Sequence, residues 1–128
     1  MGGGRVASEM TYYQRRVDEW LAACFPPSVR SDRRERTHRF LEEALELAQA
    51  NACSREDAIA LVDYVFGRPA GQAEHEVGGV MVTLASLCSA VRINMAEAGN
   101  RELDRNWDRI DAIRAKQQSK PHGSPLPQ

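Results

Sequence analysis

Apolar residues recur along this chain at three- and four-residue intervals, without sustained alternation and without a hairpin dipeptide between β-branched runs, so the pattern predicts helices and no strands. Tyr12, Val17, Trp20, Leu21 and Cys24 mark a first helix from near Ser8 to Ala23. Phe25-Pro26-Pro27 ends it, because proline lacks an N–H and restricts the residue before it. A second helix starts after Ser31 or Asp32 and runs to about Ala50. The turn Asn51-Ala52-Cys53-Ser54 follows, with Ser54 and Asp57 spaced as a cap for a third helix, Arg55 to Phe66. Gly67 and Pro69 break that helix, and a fourth runs from about Gln72 to Arg92. Asn94 and Glu97 open a last helix reaching about Gln118, although Gly99 in its first turns argues for a later start. These elements predict an all-α domain of about five helices over residues 8–118. A glycine-rich, flexible stretch at 1–7 precedes it, and a proline-rich tail at 119–128 is expected to be extended.

Composition narrows the classes of function. A chain of 128 residues with 42% hydrophobic content has the size of one domain. Its formal net charge of -1 gives no concentrated basic surface, so neither nucleic acid nor an anionic membrane is an expected partner. Cys24, Cys53 and Cys88 are an odd number, far apart and without metal-ligand spacing, which predicts reduced thiols in a cytoplasmic protein. The longest uncharged run, Val77 to Val91, falls short of the roughly 18–20 residues that cross a bilayer, and the first ten residues hold no apolar signal core. The basic residues are arginine except Lys116 and Lys120. That suits phosphate recognition, and a GC-rich genome explains it as well.

Acidic chemistry concentrates on two helices. On the second, at 100° per residue, Phe40, Leu41, Ala44, Leu45, Leu47 and Ala48 gather on one side, with Arg39, Glu42 and Glu46 opposite. Glu43 lies at the border and forms an i, i+3 pair with Glu46 that can reach a common point. Taken alone, such a cluster is a solvated face more often than a site. On the fourth helix, Glu76 shares a stripe with Val80, Thr83, Leu84 and Leu87, which predicts a buried carboxylate. Burial of a lone ionised group costs several kcal/mol, so it calls for a cation, an arginine or a raised pKa. Beside it run the small residues Gly79, Thr83, Ser86 and Ala90. The pair Gly78-Gly79 costs the helix about 1 kcal/mol per glycine, which close packing of another helix, or room for a ligand, would explain.

The stretch "LEEALE" at 41–46, followed about thirty residues on by Glu76 opening a long apolar helix, resembles the MazG-like all-α nucleoside triphosphate pyrophosphohydrolases. Their signature is EExxE followed by ExxD, and the likeness covers residues 31–118. "QAEHEVGGVMVTLASLC" and "KPHGSPLP" are also similar to phage and prophage proteins. The resemblance implies a helical bundle whose core four-helix arrangement is completed by oligomerisation as a homodimer or homotetramer. It implies magnesium, with manganese as a substitute, and cleavage of a nucleoside triphosphate to monophosphate and pyrophosphate. Glu42, Glu43 and Glu46 match EExxE, and Glu76 matches the first acid of ExxD. Gly79 stands where the family has aspartate, so one metal ligand is missing. The implied roles are Glu43, Glu46 and Glu76 as metal ligands and Glu42 as a base or water-orienting group. His38, Arg68, Arg105 and Lys116 are candidates for substrate contact, although exposed charges and a lone helical histidine are most often incidental. The alternative is a non-catalytic nucleotide-binding or protein-interaction module of the same fold that has lost the aspartate.

Overall fold

A computed structural model of the protein describes residues 11–119. The all-α expectation holds among them: seven helices and no strand. They are α1 (Tyr12–Cys24), α2 (Pro27–Arg30), α3 (Arg33–Ala50), α4 (Arg55–Phe66), α5 (Ala73–Ala90), α6 (Met95–Asp108) and α7 (Ile110–Ser119). Ser8, the segment 1–7 and the tail from residue 120 lie outside the described residues. The count exceeds five for two local reasons. The diproline that stops α1 also pre-sets the first turn of α2, with Pro27 at its start. The expected last helix is divided at Arg109, whose N–H is shared between the carbonyls of Arg105 (3.1 Å) and Asn106 (3.3 Å), a local tightening of the helical turn. Among the described residues no single helix is long and apolar enough to cross a membrane.

The chain divides into two compact units, one of residues 1–36 with 96–128 and one of residues 37–95. In the first, Thr11 caps α1 by accepting from the Gln14 N–H at 3.2 Å, and Asp32 caps α3 by accepting from the Glu35 N–H at 3.1 Å. Cys24, Phe25 and Leu103 are its buried apolar residues, with Leu103 only 2% exposed. Phe25 takes Trp20 edge-on at 6.0 Å and the Arg36 guanidinium over its ring at 5.7 Å. Glu35 is the buried charged residue, paired with Arg36 at 3.4 Å. Polar contacts tie α1 to α6 and α7. Tyr13 donates to the Gly99 carbonyl at 2.8 Å, Arg16 donates to Asn100 at 2.6 Å, and Arg114 donates to the Ala23 carbonyl. Gly99 does not delay the start of α6, and its missing side chain has a use: a Cβ there would lie 3.0 Å from the Tyr13 hydroxyl oxygen.

The second unit holds most of α3, then α4 and α5. Ser54 caps α4 as the spacing predicts, accepting from the Asp57 N–H at 3.0 Å, and Gly67 closes it. α3 and α5 both stop through a left-handed residue that is not glycine: Ala52 has φ 66° and Arg92 has φ 60°. In each the next residue bonds back across the last turn, Cys53 N–H to Ala48 O at 3.0 Å and Ile93 N–H to Cys88 O at 2.9 Å. This six-to-one closure satisfies carbonyls the helix end leaves open, and it ordinarily uses glycine because a side chain at positive φ is strained.

Two outcomes test this description. Ala52→Gly and Arg92→Gly should each raise stability by roughly 0.5–1 kcal/mol, read from urea midpoints, since the left-handed strain outweighs glycine's extra entropy. Burial pushes the Tyr13 hydroxyl above its ordinary value of 10.0, against Arg16, which lowers it, and with Glu102, which adds to the rise. The folded state therefore holds that proton more tightly than the unfolded chain does. Its contribution is complete below pH 10 and is lost as pH climbs through the higher folded value, so Tyr13→Phe should flatten the alkaline fall in melting temperature.

Candidate functional site

α3 carries the first acids because it is an uninterrupted helix of 18 residues in which glutamate, leucine and alanine all favour the helical state. Its burial departs from the expected one in the N-terminal and central turns. Arg39, Glu42 and His38, on the polar side of the wheel, are half-buried, whereas Phe40, Leu41, Ala44 and Leu45 are exposed. Leu47 and Ala48 are half-buried as well. Glu42 accepts from Arg39 at 2.8 Å, with side-chain exposures of 33% and 21%. Glu43 and Glu46 are exposed.

Glu76 stands in the first turn of α5, with Glu74, where the helix dipole favours a negative charge. Its carboxylate bends back toward the segment before the helix, into the space that Gly71 leaves by lacking a side chain: a Cβ on Gly71 would collide with it. Its expected burial is not met within one chain, where Glu76 is exposed. The physical reason lies along the stripe it shares. Leu84, Leu87 and Cys88 are covered to different degrees in the C-terminal half of α5, but Val77, Val80 and Met81 are uncovered in the N-terminal half. Gly78 and Gly79 face open space, with nothing within 4 Å of a Cβ at either. Thr83 folds its hydroxyl back onto the carbonyls of Gly79 (2.9 Å) and Val80 (3.2 Å).

The basic candidates have local partners. Arg68, just past α4, stacks over the Tyr64 ring at 4.3 Å. Arg105 and Lys116 belong to the first unit, on α6 and α7, and Arg105 holds Glu102 through its Nε at 3.1 Å. The thiols are unpaired with one another; Cys24 and Cys88 are buried and Cys53 half-buried. Burial pushes the Cys24 thiol above its ordinary value, with Arg114 acting weakly against it.

Magnesium wants hard oxygen donors and keeps several waters. Carboxylates on α3 and α5 have that chemistry, yet among the described residues no three acidic, histidine or cysteine side chains gather where one ion could touch them all. The donors are right in kind and not assembled among the described residues. Sequence reasoning missed the Arg39–Glu42 pair, although its i, i+3 spacing was readable, and it missed Gly71, whose role depends on where Glu76 turns. Comparison with models of known families, with curated proteins and with solved structures finds no match.

The tie between Arg39 and Glu42 sets how free Glu42 is for chemistry. A double-mutant cycle with Arg39→Ala and Glu42→Ala, followed by urea unfolding, should give a coupling of about 0.5–1 kcal/mol. Coupling indistinguishable from zero would mean that Glu42 is not held by this pair in solution.

Proposed function

We propose that this protein is a magnesium-dependent nucleoside triphosphate pyrophosphohydrolase, releasing monophosphate and pyrophosphate, with manganese able to replace magnesium. The observation that supports it is the placement of Glu42, Glu43 and Glu46 on α3 and of Glu76 at the start of α5, in one unit whose helices still expose apolar residues. Glu43, Glu46 and Glu76 hold the metal in this reading, in an assembly of two or four copies. The ion neutralises triphosphate charge and lowers the pKa of a water. Glu42 orients that water when its pairing with Arg39 loosens, and His38, half-buried one turn earlier, and Arg68 face the substrate's phosphates. The place left by Gly79 is filled by solvent, which magnesium accepts readily.

Gly79 also favours a second reading, a nucleotide-binding or protein-interaction module without turnover. Its missing carboxylate and the open space around it are what an abandoned ligand position would leave. A panel of canonical and modified triphosphates separates the two. On the first reading, pyrophosphate appears only with magnesium or manganese, and Glu46→Ala or Glu76→Ala lowers the rate at least about 100-fold, the scale of an essential electrostatic group. On the second, triphosphates raise the melting temperature by mass action without turnover, and Gly79→Asp strengthens metal binding. A panel that yields neither product nor thermal shift removes both.

A further inference from the structure

The C-terminal end of α1 is finished by donors from outside the helix. Its last turn has no basic residue of its own, and the carbonyls that close a helix need partners. Arg30 supplies one, its Nε donating to the Phe25 carbonyl at 3.1 Å. The other comes from α7, far along the chain: Arg114 donates to the Ala23 carbonyl through Nε at 3.0 Å and through Nη2 as well. A guanidinium in that place also faces the negative end of the helix dipole.

The make-up of α7 leaves it dependent on this contact. It meets α6 at Arg109, where one N–H is shared between two carbonyls and the regular ladder is interrupted. It has ten residues, fewer than an isolated helix needs to hold together in water. Its sheltered stripe is narrow: of residues 110–118, Ile110, Ile113 and Gln117 are half-buried and the others are exposed. α6, by contrast, carries Leu103 at 2% exposure. Undocked, α7 loses the packing that keeps it helical, so detachment and melting are one local event. Next to Ala23 stands Cys24, 7% exposed. Burial raises the pKa of its thiol and the Arg114 guanidinium acts against that rise, which puts the latch within electrostatic reach of the sulfur.

We propose that α7 is a releasable strap, latched on the end of α1 by Arg114 and opening as a unit beyond Arg109, and that its docking shields the Cys24 thiol from solvent. Closed, the thiol is buried and its ionisation is held back, so it reacts slowly, because the thiolate is the nucleophile. Opening returns it to the behaviour of an exposed thiol. Lys116 travels with the strap, two residues past the latch, so its availability to a phosphate follows the same event. That last consequence rests on the proposed hydrolase reading; the strap does not.

Alkylation of the full chain by iodoacetamide, with each cysteine followed by mass spectrometry of its peptide, tests this beside backbone hydrogen exchange. In the wild type the amides of 111–118 should exchange together and faster than those of 99–108. Arg114→Ala removes a charged donor whose side chain is 46% exposed. It should speed both α7 exchange and Cys24 alkylation by roughly three- to tenfold, leaving Cys88 and the α6 amides as they were. Arg114→Lys keeps the charge without the fork and should fall between. Equal Cys24 rates in Arg114→Ala and wild type overturn the proposal, as does a common acceleration of Cys24, Cys88 and α6, which would mean global unfolding. Wild-type α7 amides protected as strongly as those of α6 overturn it without any variant. A protein that releases no pyrophosphate yet shows these rates keeps the strap and removes only the role of Lys116.

Discussion

Apolar side chains on α3, α4 and α5 that are exposed among the described residues are the constraint on which the rest of the structure depends. Each buried leucine, isoleucine or phenylalanine is worth roughly 1.5–3 kcal/mol relative to exposure, and a domain's whole margin is only about 5–15 kcal/mol. A unit with so many of these residues uncovered gains little from folding alone. Its helices have good local signals, including the Ser54 cap and the two six-to-one closures at Ala52 and Arg92, but caps contribute about 1 kcal/mol each and do not replace a core.

The first unit stands differently. It buries Cys24, Phe25 and Leu103, packs Trp20 and Arg36 on the Phe25 ring, and ties α1 to α6 by side-chain bonds from Tyr13 and Arg16. The bonds from Tyr13 and Arg16 are directional and join segments far apart in sequence. They organise α1, α6 and α7 while the acids of α3 and α5 sit in the other unit, so the residues with chemical potential lie where coverage is least complete. Coverage is what would change that chemistry. Glu76 in water has only the first-turn dipole beside its charge, and the same group deprived of water needs a cation.

Much of the helical order was legible in the residues. α4 begins and ends where Ser54 and Gly67 place it, and α3 starts one residue past Asp32 because that side chain caps its first turn. The ends of α3 and α5 were harder to read, since Ala52 and Arg92 occupy a conformation that usually announces itself with glycine. α2 was hidden inside a diproline that reads as a stop, and the division at Arg109 leaves no mark in the hydrophobic spacing. The acids show the deeper limit. Amphipathic spacing says which face of α3 is apolar, but not which face its surroundings cover, so Leu41 and Leu45 are exposed where Arg39 and Glu42 are half-buried. The assignment of Glu76 to a buried stripe fails because Val77, Val80 and Met81 around it on α5 are exposed as well.

Backbone hydrogen exchange along α4, followed by mass spectrometry over a range of protein concentrations, tests most directly whether that missing coverage comes from another copy. Mutual burial predicts that the amides of 58–66 are strongly protected at high concentration and lose protection on dilution, while those around Phe25 change less. Rapid exchange through α4 at every concentration, or protection indifferent to dilution down to the lowest measurable level, would contradict it.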